Sequence, residues 1–209
     1  MVADGIYYAA ALAAGAALVV YLLNPWWAAP LLLAAAFCLY FFRDPEREIP
    51  AGPVAVSPAD GKVVALQPTE DGRTIISVFM SVFDVHVNRS PVSGVISDVR
   101  YRPGRFMAAN RRESSIENEQ NSVVVRAGNS RVEFRQIAGL IARRIVFRKK
   151  PGETVRAGER VGMIKFGSRV DLLLGPEWVL EVQEGDRVKA GSSVIARRGE
   201  SKGTGRTAA

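Results

Sequence analysis

A mainly β body preceded by an α-helical membrane hairpin is the fold class that the sequence predicts, and three observations predict it. An uncharged apolar stretch of 37 residues runs from Ile6 to Phe42 and is broken once, at Asn24-Pro25. After Pro50, short runs rich in Val and Ile are cut by Gly, Pro and Asp, the punctuation of strands and turns. Within that region a segment of eleven residues echoes itself 33 positions later.

The head comes first. As one helix rising about 1.5 Å per residue it would far exceed a hydrocarbon core of about 30 Å. Two segments, Ile6–Leu23 and Trp26–Phe42, fit better. Trp26 and Trp27 stand at the bend and Tyr7, Tyr8 and Tyr40 near the ends, where interface aromatics belong. Arg43 and Arg47 follow at once, so the positive-inside rule puts the body on the cytoplasmic face of the cell membrane. A cleaved signal peptide would carry a basic start and a shorter apolar run. A re-entrant or surface-lying hairpin stays open as an alternative to a spanning one.

Charge and composition bound the partners. Residues 1–42 hold one charged residue, Asp4, and the whole chain has a net charge of +7. A basic body behind an apolar head points to an anionic membrane, and the lack of any nucleic-acid motif points away from nucleic acid. One cysteine, Cys38, excludes an internal disulfide framework and reads as a lipid-facing or packing thiol. One histidine, His86, excludes two-histidine zinc chemistry, so no metal is expected and any imidazole catalysis has a single source.

The body reads as strands at Val54–Val56, Lys62–Leu66, Thr74–Phe79, Gly94–Ile96, Ser122–Val125 and Val132–Phe134, a barrel or a sandwich. In the echo, Gly152, Val155, Ala157, Gly158 and Val161 match Gly185, Val188, Ala190, Gly191 and Val194. Each copy reads as turn, strand, turn, strand. Ser57-Pro58 and Ser90-Pro91 share the same offset. Two Gly-(Glu/Asp)-x-Val-x-Ala-Gly units predict a barrel-sandwich-hybrid-like body, the fold of lipoyl and biotinyl carriers. A shared fold does not assign a function. The expected organisation is a hairpin over 1–47, a β body over 48–198 and a flexible tail over 199–209.

Three segments concentrate chemistry-bearing residues. Ser57-Pro-Ala-Asp60-Gly-Lys62 puts an acid at a turn, where Asp-Gly is also ordinary turn chemistry. Met80 to Pro91 holds Asp84, His86 and Asn88, which strand alternation would put on one face. Gly162 to Asp171 contains the pair Gly167-Ser168.

Six segments in order resemble the short-form phosphatidylserine decarboxylase family. They are Phe41-Phe-Arg-Asp-Pro-Glu-Arg47, Pro58-Ala-Asp-Gly61, Phe79 to Pro91, Glu117-Asn-Glu-Gln-Asn121, Gln136 to Ile145 and Met163 to Asp171. The resemblance runs from Phe41 to about Arg197. It implies decarboxylation of phosphatidylserine to phosphatidylethanolamine with a pyruvoyl group, which the family makes from its own serine. Here the chain would cleave between Gly167 and Ser168, giving a β chain of 1–167 and an α chain of 168–209 that stay together as a heterodimer, with further dimerisation open. Ser168 becomes the pyruvoyl group, which forms a Schiff base with the substrate amine. His86 is the implied base, supported by Asp60 on the pattern of an Asp-His-Ser triad, with Asp84 a competitor for that place and Asp171 a structural residue. Long-form members carry two histidines in the segment matching Phe83–Pro91, so both histidine duties here fall to His86.

Two other functions compete. Met163-Ile-Lys165 resembles the hairpin that presents a modified lysine in biotinyl and lipoyl carriers, although Phe166 replaces the second Met. A membrane-fusion adaptor shares the hybrid fold but needs a long helical hairpin. The Arg100, Arg102, Arg105, Arg111, Arg112 and Arg143, Arg144, Arg148, Lys149, Lys150 clusters are expected to be solvated faces that also lie against anionic lipid.

Overall fold

A computed structural model describes residues 2–104, 118–139, 144–165 and 168–199. Gly167, Arg105, Arg111, Arg112, Arg143 and nearly all of the expected tail lie outside the described residues.

The head is a helical hairpin. Helix α1 spans Ala3–Leu22, a 3-10 turn spans Pro25–Ala28, and α2 spans Ala29–Phe41. Asn24 breaks the helix because its Oδ1 accepts the Trp26 N–H at 3.0 Å, and Pro25 then fixes the first turn. Helix α1 starts three residues before the apolar run, which takes Asp4 into its first turn. At 20 residues it is long and apolar enough to cross a membrane; α2, at 13, is shorter. The two free ends of the hairpin meet each other, and the second is tied to the body. Val2 N–H donates to the Phe42 carbonyl at 3.0 Å, and the Tyr40 hydroxyl and Arg43 donate to the Phe83 carbonyl at 3.1 and 2.6 Å. The bend, with exposed Tyr21, Leu23, Trp26 and Trp27, therefore lies at the distal end. A hairpin apolar on its exposed faces matches lipid rather than water.

The body is β throughout its described residues. In order the strands are β1 (Val54–Val56), β2 (Gly61–Pro68), β3 (Thr74–Met80), β4 (Val87–Arg89), β5 (Gly94–Arg102), β6 (Gln120–Ala127) and β7 (Ser130–Ala138). They continue as β8 (Ile145–Phe147), β9 (Thr154–Val155), β10 (Arg160–Ile164), β11 (Ser168–Leu174), β12 (Trp178–Leu180), β13 (Arg187–Val188) and β14 (Val194–Arg198). A curled eight-stranded sheet runs β13-β2-β3-β11-β7-β6-β5-β9, and two three-stranded sheets run β1-β14-β12 and β4-β10-β8. The core between them is built from Val, Ile and Leu with Phe134 and Met80, all nearly inaccessible. β11 is buried along its whole length because it sits mid-sheet with the core on one face, so its Leu172, Leu173 and Leu174 read as a continuous apolar run.

The 33-residue echo is structural, and its shorter half is part of it. Gly158 N–H donates to the Ser90 carbonyl and Gly191 N–H to the Ser57 carbonyl, both at 2.8 Å. Gly152 N–H bonds the Ile96 carbonyl as Gly185 N–H bonds that of Val63, again both at 2.8 Å. The two small strands β9 and β13 thus close the two edges of the large sheet. Paired glycines at the four turns hold left-handed backbone, φ +91° and +101° at Gly152 and Gly185, +75° and +78° at Gly158 and Gly191.

Gly61 and Gly94 occupy equivalent places where strands cross closely. A Cβ would sit 2.0 Å from the Phe79 carbonyl oxygen at Gly61 and 2.1 Å from that of Arg126 at Gly94. Backbone oxygens held in a ladder cannot yield as a flexible side chain does. Gly94→Ala is expected to destabilise the body by at least about 2 kcal/mol, the scale of core overpacking, read as a lowered chemical-denaturation midpoint.

Candidate active site

Ser168 opens β11, fully buried, with Met80 of β3 and Ala138 of β7 as its ladder partners. Its hydroxyl donates to Met80 Sδ at 3.5 Å, the one hydrogen-bond acceptor it meets among the described residues. A thioether is a weak acceptor, so that bond holds the hydroxyl only lightly. The same sulfur is approached by Asn88 Nδ2 at 3.8 Å. Asn88 Oδ1 in turn accepts from Gln136 Nε2 at 2.9 Å, and Gln136 Oε1 from Asn121 Nδ2 at 3.0 Å. A buried chain of amides therefore runs from three strands to the serine pocket. Each amide is satisfied by the next, as burial requires.

His86 is also fully buried. Its Nδ1 lies 2.9 Å from the Asp84 carbonyl oxygen, which can only accept, so the proton resides on Nδ1 and Nε2 is the basic nitrogen. Its ring packs on Phe41, centroids 4.2 Å apart, and its own carbonyl accepts the Ile164 N–H of β10 at 3.3 Å. Burial, the largest influence, pushes its pKa down to about 4, opposed by the Asp84 carbonyl and carboxylate. The imidazole is thus neutral at pH 7 and available as a base.

The depression has a stability consequence. The unfolded histidine binds its proton near pH 6.5 and the folded one near 4, so between those values the unfolded state holds more protons. Stability present above pH 6.5 is lost as pH falls towards 4, by about 3 kcal/mol at 1.36 kcal/mol per unit. Urea unfolding of the wild-type chain and of His86→Gln should diverge in slope across that window and run parallel above it.

Asp60 lies in the turn before β2. One oxygen accepts from Arg47 at 2.8 Å and the other from the Ala190 N–H at 2.7 Å. Desolvation raises its pKa, against the pull of the Ala190 N–H and Arg47, with the Asp84 charge adding to the rise. The echo is informative here. The residue 33 positions on, Ser93, makes the equivalent bond to Ala157 N–H at 2.9 Å. A serine suffices for the turn, so the extra property of Asp60 is its charge, directed at Arg47. Asp84 sits within electrostatic reach of both Asp60 and His86, and it is the acid whose charge acts to raise the His86 pKa.

The single polar face expected over Asp84, His86 and Asn88 is interrupted. The strand begins only at Val87, because Asp84 Oδ2 accepts from Ser81 N–H and Oγ at 2.8 and 2.7 Å and holds a turn. Asp171 is buried with Ser77 Oγ at 2.7 Å and Arg169 Nε at 2.9 Å, and its pKa is raised by burial. Lys165 is buried as well and paired with Asp4, unlike a carrier lysine, which must reach out from a hairpin tip. Among the basic residues described, Arg100 pairs with Asp98 and Lys149 with Glu159 at the surface.

Sequence reasoning passed over Phe41, Arg47, Arg89 and Gln136 as functional positions, though all lie inside the quoted motifs. Arg89 is buried and donates to the Gly158 and Pro45 carbonyls and to Asp44, tying the segment after the head to the body. A cavity of about 360 Å³ is lined by Val2, Asp4, Asp44, Val87, Arg148 and Arg160 among others.

The family model described as phosphatidylserine decarboxylase matches residues 34–196. A phosphatidylserine decarboxylase proenzyme of Solibacter usitatus is 62% identical over 198 residues, covering 95% of this chain and 97% of the relative. Proenzymes of the same name from Desulfotalea psychrophila and Oleidesulfovibrio alaskensis are 45% and 47% identical, covering 78% of this chain in each case and 79% and 78% of the relatives.

Proposed function

The chain belongs to the phosphatidylserine decarboxylase family, whose reaction is decarboxylation of phosphatidylserine, and on that premise we propose that it cleaves itself between Gly167 and Ser168 to carry out that reaction with a pyruvoyl group. The observation that carries the proposal is the state of Ser168: buried, first in its strand, and with its hydroxyl donated, among the described residues, to nothing stronger than a thioether. A serine whose oxygen is to be expelled should not anchor the fold through that oxygen, and this one does not.

In cleavage, Ser168 Oγ attacks the Gly167 carbonyl carbon while His86 Nε2 takes the hydroxyl proton. The peptide C–N bond breaks, leaving an ester and a free amine at residue 168. Loss of the Cα proton then expels the Gly167 carboxylate, and water replaces the nitrogen, which departs as ammonia. Attack by a neighbour's hydroxyl is intramolecular, which is worth as much as roughly 7–11 kcal/mol where the geometry is right. Asp60 and Asp84 are the candidate carboxylates that support the imidazolium formed. A pyruvoyl group at 168 supplies the electron sink that departing CO2 requires and side chains lack. His86 is also the candidate to return a proton to the carbon that CO2 leaves.

The hairpin over 1–47 holds the body of 48–198 at an anionic membrane, on its cytoplasmic side, where a lipid substrate is met without leaving the bilayer. The α and β chains remain associated, because Ser168–Leu174 is a central strand between β3 and β7. Intact-mass analysis of purified full-length protein tests the reading. Fragments of 1–167 and 168–209, the second reactive towards carbonyl reagents, together with CO2 release from serine phospholipid, are the expected result; one continuous active chain would overturn it.

A further inference from the structure

Asp4 is the only charged residue in the first 42, and an acid at the start of a lipid-facing helix calls for a partner. That partner is Lys165, whose Nζ lies 2.8 Å from Asp4 Oδ2. The same ammonium stands 5.6 Å from the Tyr8 ring centroid and 5.7 Å from that of Phe42. Its ion pair and both ring contacts therefore come from the head. The lysine side chain is 11% exposed, a degree of burial that lysines reach only when paired.

Lys165 occupies a decisive point in the chain. It follows β10, whose last residue, Ile164, is bonded to the His86 carbonyl, and its own N–H donates to the Arg144 carbonyl at 3.2 Å. Three residues on, Ser168 is fixed in the ladder between Met80 and Ala138. Two residues join these anchors. A chain reaches at most about 3.5 Å per residue, so position 165 stays within about 10 Å of Ser168 and a displacement there has only two residues over which to dissipate before that bond. A misplacement of 1 Å costs reactions of this kind about a hundredfold.

We propose that Asp4 and Lys165 form a clamp through which the seated helical head positions the segment entering Ser168 for cleavage. Both are positioning residues; neither touches the reacting atoms. The proposal rests on the self-cleavage reading above. It makes the head part of the processing apparatus as well as a membrane anchor, and a chain with an unseated head would be slow to mature.

The test follows cleavage of newly made full-length chain over time by denaturing electrophoresis, in detergent micelles, with thermal unfolding measured on each variant. Asp4→Asn and Lys165→Asp should each slow cleavage about tenfold or more, and Asp4→Glu should stay within about threefold of wild type. The exchanged pair, Asp4→Lys with Lys165→Asp, should recover most of the rate lost by either single change. A merely structural role would lower the unfolding temperature in step with the rate in every variant. Asp4→Asn cleaving at the wild-type rate, or a folded exchanged pair no faster than the single variants, would overturn the clamp. Wild-type chain that never cleaves would strike down the self-cleavage reading itself, and the clamp with it.

Discussion

Ser168→Ala is expected to accumulate as one continuous chain with no measurable decarboxylase activity. The change removes a single buried oxygen whose hydrogen bond ends on Met80 Sδ at 3.5 Å. Such a bond to a weak acceptor contributes at most about 1 kcal/mol. The vacated space is smaller than a methyl group, so the β3, β11 and β7 ladder should persist and the unfolding midpoint should move little. The activity lost should nevertheless be all of it. Without the oxygen no ester forms, without the ester no carboxylate is expelled, and without that step there is no carbonyl to take up the electrons of the C–C bond. Enzymes commonly contribute accelerations of 10⁶-fold or more, and here the whole acceleration depends on one group. Mass spectrometry and CO2 release on the same preparation check both halves. Two fragments from this variant, or turnover by the intact chain, would sink the self-cleavage reading, and a normal unfolding midpoint guards against mistaking misfolding for inactivity.

The parts of this protein that were readable in its sequence are those carried by local pattern. The hairpin follows from an uncharged run interrupted by Asn24-Pro25, and the broken helix caps itself there as such a pair does. The strands follow from β-branched runs between turn residues. The 33-residue echo was legible because turns demand glycine at fixed places, and Gly152 and Gly185 meet the same demand in both copies. What local pattern could not supply is pairing at a distance. Asn88, Gln136 and Asn121 form one amide chain only because β4, β7 and β6 come together in space, and nothing in any one segment says so. Asp84 illustrates the opposite failure. Alternation placed it on a strand, but a side chain that can bond its own neighbouring backbone prefers the turn. Asp60 was legible as an acid at a turn; its tie to Arg47 needed the fold.

His86→Ala should slow cleavage by roughly 10²–10⁴-fold, the usual contribution of a positioned general base. The groups hydrogen-bonded around Ser168 offer no substitute base. Among the described residues, the hydrogen-bonded groups at Ser168 and beside it are a thioether and carboxamides, none of which accepts a proton at neutral pH. The imidazole's readiness comes from its surroundings: the Asp84 carbonyl fixes the proton on Nδ1, Phe41 covers one face, and burial keeps the ring uncharged. The pH profile separates chemistry from packing. In the wild-type chain the cleavage rate should hold as pH falls from 8 to about 5 and decline only on approach to about 4, where the base becomes protonated. An ordinary exposed histidine would impose the decline near 6.5. His86→Gln fills much of the same space, keeps the contact with Phe41 and lacks the base, so it should cleave as slowly as the alanine variant while regaining part of its stability. If His86→Gln cleaves at the wild-type rate, the base lies elsewhere. If it cleaves slowly but the matured fraction decarboxylates normally, the histidine serves cleavage alone, and the proton that replaces CO2 comes from another donor.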